Sequence, residues 1–192
     1  MANCQNSGTN ICDHGQHVAG IAAGDGTGLP SPAPATGVAP GANIVGIQVF
    51  VRSNADSQCP GSAPCTYAYV SDQLAGLNQI FAWRNTYNFA AVNMSLGGGG
   101  PFATNCDGDN GGRKAAIDQL LNAGISTIIA AGNDSFTNGV SRPGCISTAV
   151  TVSATNNSDN IAGFSNRGTL TDLWAPGVSL SLIHISEPTR PY

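Results

Sequence analysis

The sequence predicts an α/β fold, a three-layer doubly wound parallel sheet with helices on both faces. Three observations carry the prediction. Apolar, β-branched runs alternate along the chain with segments whose apolar positions fall three and four residues apart. Strand-like segments separated by helical ones require crossover connections, and right-handed crossovers build a parallel sheet covered by helices. The chain has 192 residues, 41% of them hydrophobic, which suits one domain with a real core.

Each element follows from local pattern. The segment His14–Gly20 reads as a helix start with an imidazole in its first turn. Residues Asp25 to Pro40 carry Pro30, Pro32, Pro34 and Pro40 among glycines and alanines, a semi-rigid surface connection. Asn43 to Val51, with Ile44, Val45, Ile47, Val49 and Phe50, is nearly continuous in apolar character and predicts a strand covered on both faces. Ser71 is placed to cap a helix whose apolar residues are Leu74, Leu77, Ile80 and Phe81. Phe89 to Leu96 returns to strand. Ala116, Ile117, Leu120 and Leu121 define another amphipathic helix, stopped by Gly124. Ile125–Ala131 and Ile146–Ala154 are the third and fourth strands.

Composition narrows the function. Charged residues make up only 9%, against about 25% in an average protein. Seven basic and eleven acidic side chains give a net charge of −4 without a basic stripe, which excludes nucleic acid as a partner. No apolar run approaches the roughly 20 residues that span a bilayer, so no membrane partner is expected. The six cysteines suggest disulfides, with Cys4 and Cys12, Cys59 and Cys65, and Cys106 and Cys145 as one pairing. Six cysteines admit fifteen pairings, and the spacing alone leaves the others open. No C-x-x-C occurs to favour metal binding, and disulfides imply an oxidising compartment. Met1-Ala2-Asn3-Cys4 lacks a signal-peptide core, so the natural start is expected further upstream.

Two strand ends draw attention because ligands of open α/β sheets bind beyond the carboxyl ends of strands. Ser95-Leu96-Gly97 and Gly132-Asn133 each follow an apolar strand and switch at once to small or polar residues. An asparagine there can aim its amide at a developing negative oxygen, or it can simply close its own loop in a left-handed turn. A neutral imidazole such as His14 suits general base work near neutral pH, although a lone histidine also serves as a cap or stands idle on the surface. His14 and His17 do not form a zinc motif: the spacing is three, with no glutamate between. Asp13 adjoins His14 and points elsewhere on a helix, so it does not orient that ring. Asp107 to Asp118 lacks the fifth-position oxygen ligand and the twelfth-position glutamate of a calcium loop. Gly97–Gly100 is not followed by the Gly-Lys-Ser/Thr of a phosphate loop, and no G-x-S-x-G elbow is present.

Three motifs, in order, resemble the subtilisin-like serine peptidases. They are His14-Gly15-Gln16-His17-Val18-Ala19-Gly20, Asn93-Met94-Ser95-Leu96-Gly97 and Ala130-Ala131-Gly132-Asn133. The corresponding family segments run HGTHVAG, NMSLGG and AAGN. A looser similarity extends from about Asn10 to Val178, through Phe164-Ser165-Asn166 and Leu173-Trp174-Ala175-Pro176-Gly177-Val178. Gln16 stands where the family usually has threonine.

The resemblance implies a subtilisin-like sheet, incomplete at both ends, with His14 as catalytic base and Asn133 as oxyanion donor. His17 would pack structurally. Ser95, Leu96 and Gly97 would wall the specificity pocket and pair with substrate backbone, beside Gly132, with Thr66–Val70 as the opposite edge. The triad aspartate is expected before residue 1, and the G-T-S-M-A serine motif does not follow Val178. Instead the chain ends Ser179 to Tyr192, which reads as transposase-end adapter sequence, so residues 1–179 are expected to be a partial peptidase domain and 180–192 a non-native tail. The expected function is serine endopeptidase chemistry through an Asp/His/Ser triad, inactive in these residues alone. The alternative is an inactive peptide-binding module of the same fold. A secreted monomer with a polypeptide substrate is expected. No cofactor is needed for the chemistry, and structural calcium is compatible with the full-length enzyme.

Overall fold

In chain order the elements are α1 (His14–Ala23), β1 (Val51–Ser53), β2 (Cys65–Tyr67), α2 (Val70–Trp83), β3 (Ala91–Met94), β4 (Gly98–Phe102), α3 (Arg113–Asn122), β5 (Ser126–Ala130), β6 (Val140–Arg142), β7 (Val150–Thr155) and β8 (Leu173–Pro176). The computed structural model describes residues 14–26, 36–59, 63–109 and 111–180. The chain divides into two units: Val70–Val178 is one, and the segments Met1–Tyr69 and Ser179–Tyr192 form the other.

In Val70–Val178, four parallel strands run in the order β3-β5-β7-β8. Helix α3 packs on β5 and α2 on α3, so the sheet and helices make the expected α/β fold. Strand β5 alternates: Thr127 and Ile129 are each 1% exposed, whereas Ser126, Ile128 and Ala130 are half-buried. The buried set joins Leu77, Ile117 and Leu120 in the core. The helix-facing side of the sheet is therefore closed and the other side is partly open.

Helix α3 stops where the sequence predicts. Gly124 adopts φ +79°, donates to Leu121 O at 2.9 Å, and lets Ile125 N reach Leu120 O at 2.9 Å. This is a Schellman closure, which satisfies the last carbonyls, with Ile125 and Leu120 both buried beside it. Arg113, 5% exposed, donates to Gln73 Oε1 at 2.7 Å and so ties α3 to α2. Its burial, and then the Arg142 charge, push its guanidinium below the ordinary value.

Several expectations need correction. Residues 42–50 carry no regular secondary structure, and Ile44 and Val45 are 53% and 43% exposed, so the strand predicted over Asn43–Val51 is absent. Apolar β-branched content alone does not make a strand; it also needs a ladder partner, and only Val51–Ser53 finds one, antiparallel to β2. Helix α2 begins at Val70, so Ser71 lies in its first turn and does not cap it. The strand predicted from Ile146 starts at Val150; Ile146 is buried, but in a turn after Pro143-Gly144, where its N–H donates to Pro143 O at 3.0 Å. Strands β4 and β6 pair antiparallel around an irregular register that the Gly-Gly-Gly-Pro-Phe sequence did not signal.

Two of the three suggested disulfides lie in described residues and are formed, Cys59–Cys65 with Cα atoms 5.6 Å apart and Cys106–Cys145 with 5.3 Å. Cys4 and Cys12 lie outside the described residues, as do Pro30, Pro32 and Pro34 and the tail from 181 onward. In the smaller unit, the chain returns over the end of α1: Gly37 N, Val38 N and Ala39 N donate to Gly24, Ile21 and Ala22 carbonyls at 2.7, 3.0 and 2.8 Å. Only glycine fits at 37, because a Cβ would lie 2.7 Å from Gly20 O.

Thr127 supplies a stability prediction. Its hydroxyl is buried on β5 with no hydrogen-bond partner among the described residues. Thr127→Val keeps the shape and removes the stranded group, so chemical denaturation is expected to show unchanged or higher stability, by up to about 1 kcal/mol.

Candidate functional site

The carboxyl ends of the four parallel strands surround a cavity of about 230 Å³. Asn93 and Ser95 line it from β3, Ala131, Gly132 and Asn133 from the end of β5, Val152 to Ala154 from β7, and Ala175 to Gly177 from β8. Its floor is the partly open side of the sheet, with Ile128, Ala130 and Val152 half-buried. This is where an open α/β sheet is expected to receive a ligand.

The structure brings Ser95, Gly132 and Asn133 to this cavity. Leu96 instead packs against the hydrophobic core, and Gly97 lies close to Arg142 O, 3.1 Å from where its Cβ would be. Asn93 Nδ2 donates to Ser95 Oγ at 3.0 Å. Asn133 is exposed and its side chain has no hydrogen-bond partner among the described residues. His14 is exposed in α1, in the other unit, and His17 is half-buried one turn later. Thr66 and Tyr67 lie in β2, while Val70 opens α2.

What holds Asn133 in place is a residue that sequence reasoning passed over. Asn166 is fully buried at 0% exposure, and its carboxamide serves the whole 131–136 loop. Its Oδ1 accepts from Asp134 N at 2.8 Å and Phe136 N at 3.0 Å. Its Nδ2 donates to Ala131 O at 3.1 Å, Ser141 Oγ at 2.9 Å and Asp134 Oδ2 at 3.2 Å. Ser141 Oγ in turn donates to Asp134 Oδ2 at 3.0 Å. Main-chain bonds add Asn166 N to Gly132 O, Ser135 N to Phe164 O and Arg167 N to Phe136 O, each 2.9 Å. Asn133 thus extends from a loop whose residues on either side, Gly132 and Asp134, are bonded to Asn166, a firm mount for an exposed amide.

Gly132 is required by the same packing. It adopts φ +106°, and a Cβ would lie 2.5 Å from Ser141 Oγ and collide with the Asn166 amide. The Ala-Gly-Asn motif therefore has a local physical reason: glycine admits the Asn166 carboxamide under the loop and turns Asn133 outward.

The carboxylates at the two ends of the 107–118 segment are engaged within the protein. The Asp107 carboxylate accepts from Ser147 N at 2.9 Å and Ser147 Oγ at 2.8 Å, beside the Cys106–Cys145 bridge. Asp118 is paired with Lys114 and accepts from Thr148 Oγ1 at 2.6 Å. No cluster of three His, Cys, Asp or Glu able to hold a metal occurs among the described residues. Nor is any helix among them long and apolar enough to cross a membrane.

The Lys114 hydrogen bond, then that from Thr148, holds the Asp118 carboxyl below its ordinary value. A carboxyl depressed in the folded state stabilises fully above its unfolded pKa, about 3.9, and loses that contribution as pH falls through the folded value. Asp118→Asn is expected to lower stability by roughly 0.5–1 kcal/mol at neutral pH. Urea titrations of the two proteins should converge in acid below the folded pKa.

Comparison with known proteins matches this geometry. The profile of the subtilase family covers residues 2–192. A cuticle-degrading serine protease of Arthrobotrys oligospora is 35% identical over 167 residues, 87% of this chain and 33% of that protein. An extracellular serine proteinase of a Thermus species is 33% identical over 168 residues, 88% of this chain and 33% of that one. A solved cold-adapted subtilisin-like serine proteinase superposes with a TM-score of 0.64 at 29% identity, covering 88% of this chain and 50% of that one. The chain spans about a third of the length of these curated relatives.

Proposed function

This chain belongs to the subtilase family, and we propose that it forms part of the catalytic domain of a secreted, monomeric serine endopeptidase acting on polypeptides. In that reading His14 takes the proton from a serine hydroxyl, the serine attacks the scissile carbonyl, and protonated His14 then releases the amine. Asn133 Nδ2 donates to the oxyanion of the tetrahedral intermediate. The serine and the carboxylate that orients His14 come from sequence outside these 192 residues. Ser95, Leu96 and Gly97 form the edge that pairs with substrate backbone, and Gly132 keeps the approach to Asn133 clear.

One observation carries the proposal: Asn133 stands exposed at a strand-end cavity, its side chain without a hydrogen-bond partner among the described residues, on a loop that Asn166 holds through Ala131, Asp134 and Phe136. A surface asparagine serving only its own turn would be expected to spend its amide on that turn. The relatives named as an extracellular proteinase and a cuticle-degrading protease support secretion and a protein substrate, and two disulfides support an oxidising compartment.

Peptide binding tests the reading without requiring turnover. A millimolar substrate-like peptide added to the ¹⁵N-labelled chain should shift the amides of Ser95 to Gly97, Gly132 and Asn133, and the His14 ring. Shifts confined to other surfaces, with these signals unmoved, would refute it.

A further inference from the structure

The chain contains three Asn-x-Ser triplets: Asn93-Met94-Ser95, Asn133-Asp134-Ser135 and Asn156-Asn157-Ser158. Such a triplet is an N-glycosylation acceptor only where the folded protein leaves room for a bulky, hydrated oligosaccharide. The structure separates the three. Asn93 and Asn133 line the strand-end cavity, and Asn93 Nδ2 is already bonded to Ser95 Oγ at 3.0 Å. Asn156 lies elsewhere, in the turn that leaves β7.

We propose that Asn156 is an N-glycan acceptor when the chain passes through a secretory pathway that holds a lipid-linked oligosaccharide donor. The turn is closed by Asn156 N to Asn160 O at 2.8 Å and Asp159 N to Asn156 O at 3.0 Å. Asn156 is half-buried at the base of the turn and residues 157–160 are all exposed. Asn156 Oδ1 accepts from Ser158 N at 2.9 Å and Asn160 N at 3.1 Å. Two backbone donors on one side-chain oxygen fix which way the amide faces, because the NH₂ group cannot take that place. Nδ2 has no partner among the described residues and points away from the bonds that hold the turn. A substituent on Nδ2 therefore leaves the turn's hydrogen bonds intact.

The chemistry balances. A new bond forms from Asn156 Nδ2 to the anomeric carbon of the donor sugar. The bond from that carbon to the pyrophosphate oxygen breaks, the lipid pyrophosphate leaves with the electron pair, and one amide proton is lost to a base of the transferase. The position has a physical use as well. Thr155 bridges to Ile161, which is 45% exposed next to the turn. With only 9% charged residues, the chain gains hydration from a glycan beside the exposed Ile161.

The test expresses the full chain behind a cleavable secretion leader in a eukaryotic host and analyses cell extract and medium together. Peptide-N-glycosidase in ¹⁸O water should convert Asn156 to labelled aspartate in most chains. Ser158→Ala, which leaves the Asn156 side chain in place, should abolish that label and remove one glycan's mass, as should Asn156→Gln. Unlabelled Asn156, or label on Asn93 or Asn133 alone, overturns the proposal. The readout needs no catalysis, so its failure leaves the peptidase reading untouched, and failure of that reading leaves Asn156 untouched.

Discussion

Asn166→Leu is expected to destabilise the Val70–Val178 unit by about 3–5 kcal/mol. The substitution keeps the branched framework of a fully buried side chain but replaces its carboxamide with methyl groups; the carboxamide accepts from two backbone amides and donates to Ala131 O, Ser141 Oγ and Asp134 Oδ2. Ala131 O keeps its bond from Ser141 N and Ser141 Oγ its bond to Asp134, so the cost falls on Asp134 N and Phe136 N, roughly 1–3 kcal/mol for each N–H left without a partner. The loss is local before it is global. Amide hydrogen exchange at Asp134 and Phe136 should accelerate far more than at Ile129 in the core, because those two N–H groups lose the acceptor they have among the described residues. Equal acceleration across β5, or none at Asp134, would show that the network does not hold the loop.

Asn133→Ala, made in the full-length protein under the proposed peptidase reading, should lower kcat by ~10²–10³, a range set by measurements on a subtilisin and not by this geometry. The distinctive expectation is how the loss divides. An amide that contacts only the developing oxyanion contributes nothing to ground-state binding, so KM should stay nearly constant. Stability should be unchanged too, because Asn133 is exposed and its side chain has no partner among the described residues. Comparable losses in kcat and Tm would assign Asn133 a structural role. The pair of substitutions is diagnostic: Asn166→Leu is expected to move stability and loop exchange, Asn133→Ala to move only turnover.

The sequence made the repetitive parts of the fold legible and left the bespoke parts hidden. Helices α2 and α3 and strands β3, β5 and β7 show in apolar spacing because packing against a common core imposes a period. The Asn43–Val51 run carries the same apolar content without the ladder partner that would make it a strand, and a partner cannot be read from composition. The β4–β6 pair is built on Gly98 to Phe102, residues poor in strand propensity, so its pairing comes from tertiary context. The placement of Asn133 at a strand-end cavity was legible because Gly132-Asn133 directly follows the apolar run Ile125–Ala131. Asn166 was not: its role exists only because Gly132 lets its carboxamide lie beneath a loop more than thirty residues away in sequence. A loop asparagine that organises a site looks the same, letter by letter, as one that faces solvent.

The account rests on His14 and Asn133 serving one reaction centre. The most direct measurement is a crystal structure of the full-length protein, the proposed peptidase, trapped with a peptidyl boronic acid. The account predicts the tetrahedral adduct with an oxygen about 2.7–3.1 Å from Asn133 Nδ2 and the His14 ring within about 2.6–3.2 Å of the adduct's serine oxygen or leaving-group side. An adduct seated away from the ends of β3 and β5, or His14 and Asn133 on opposite faces of the sheet, would contradict it.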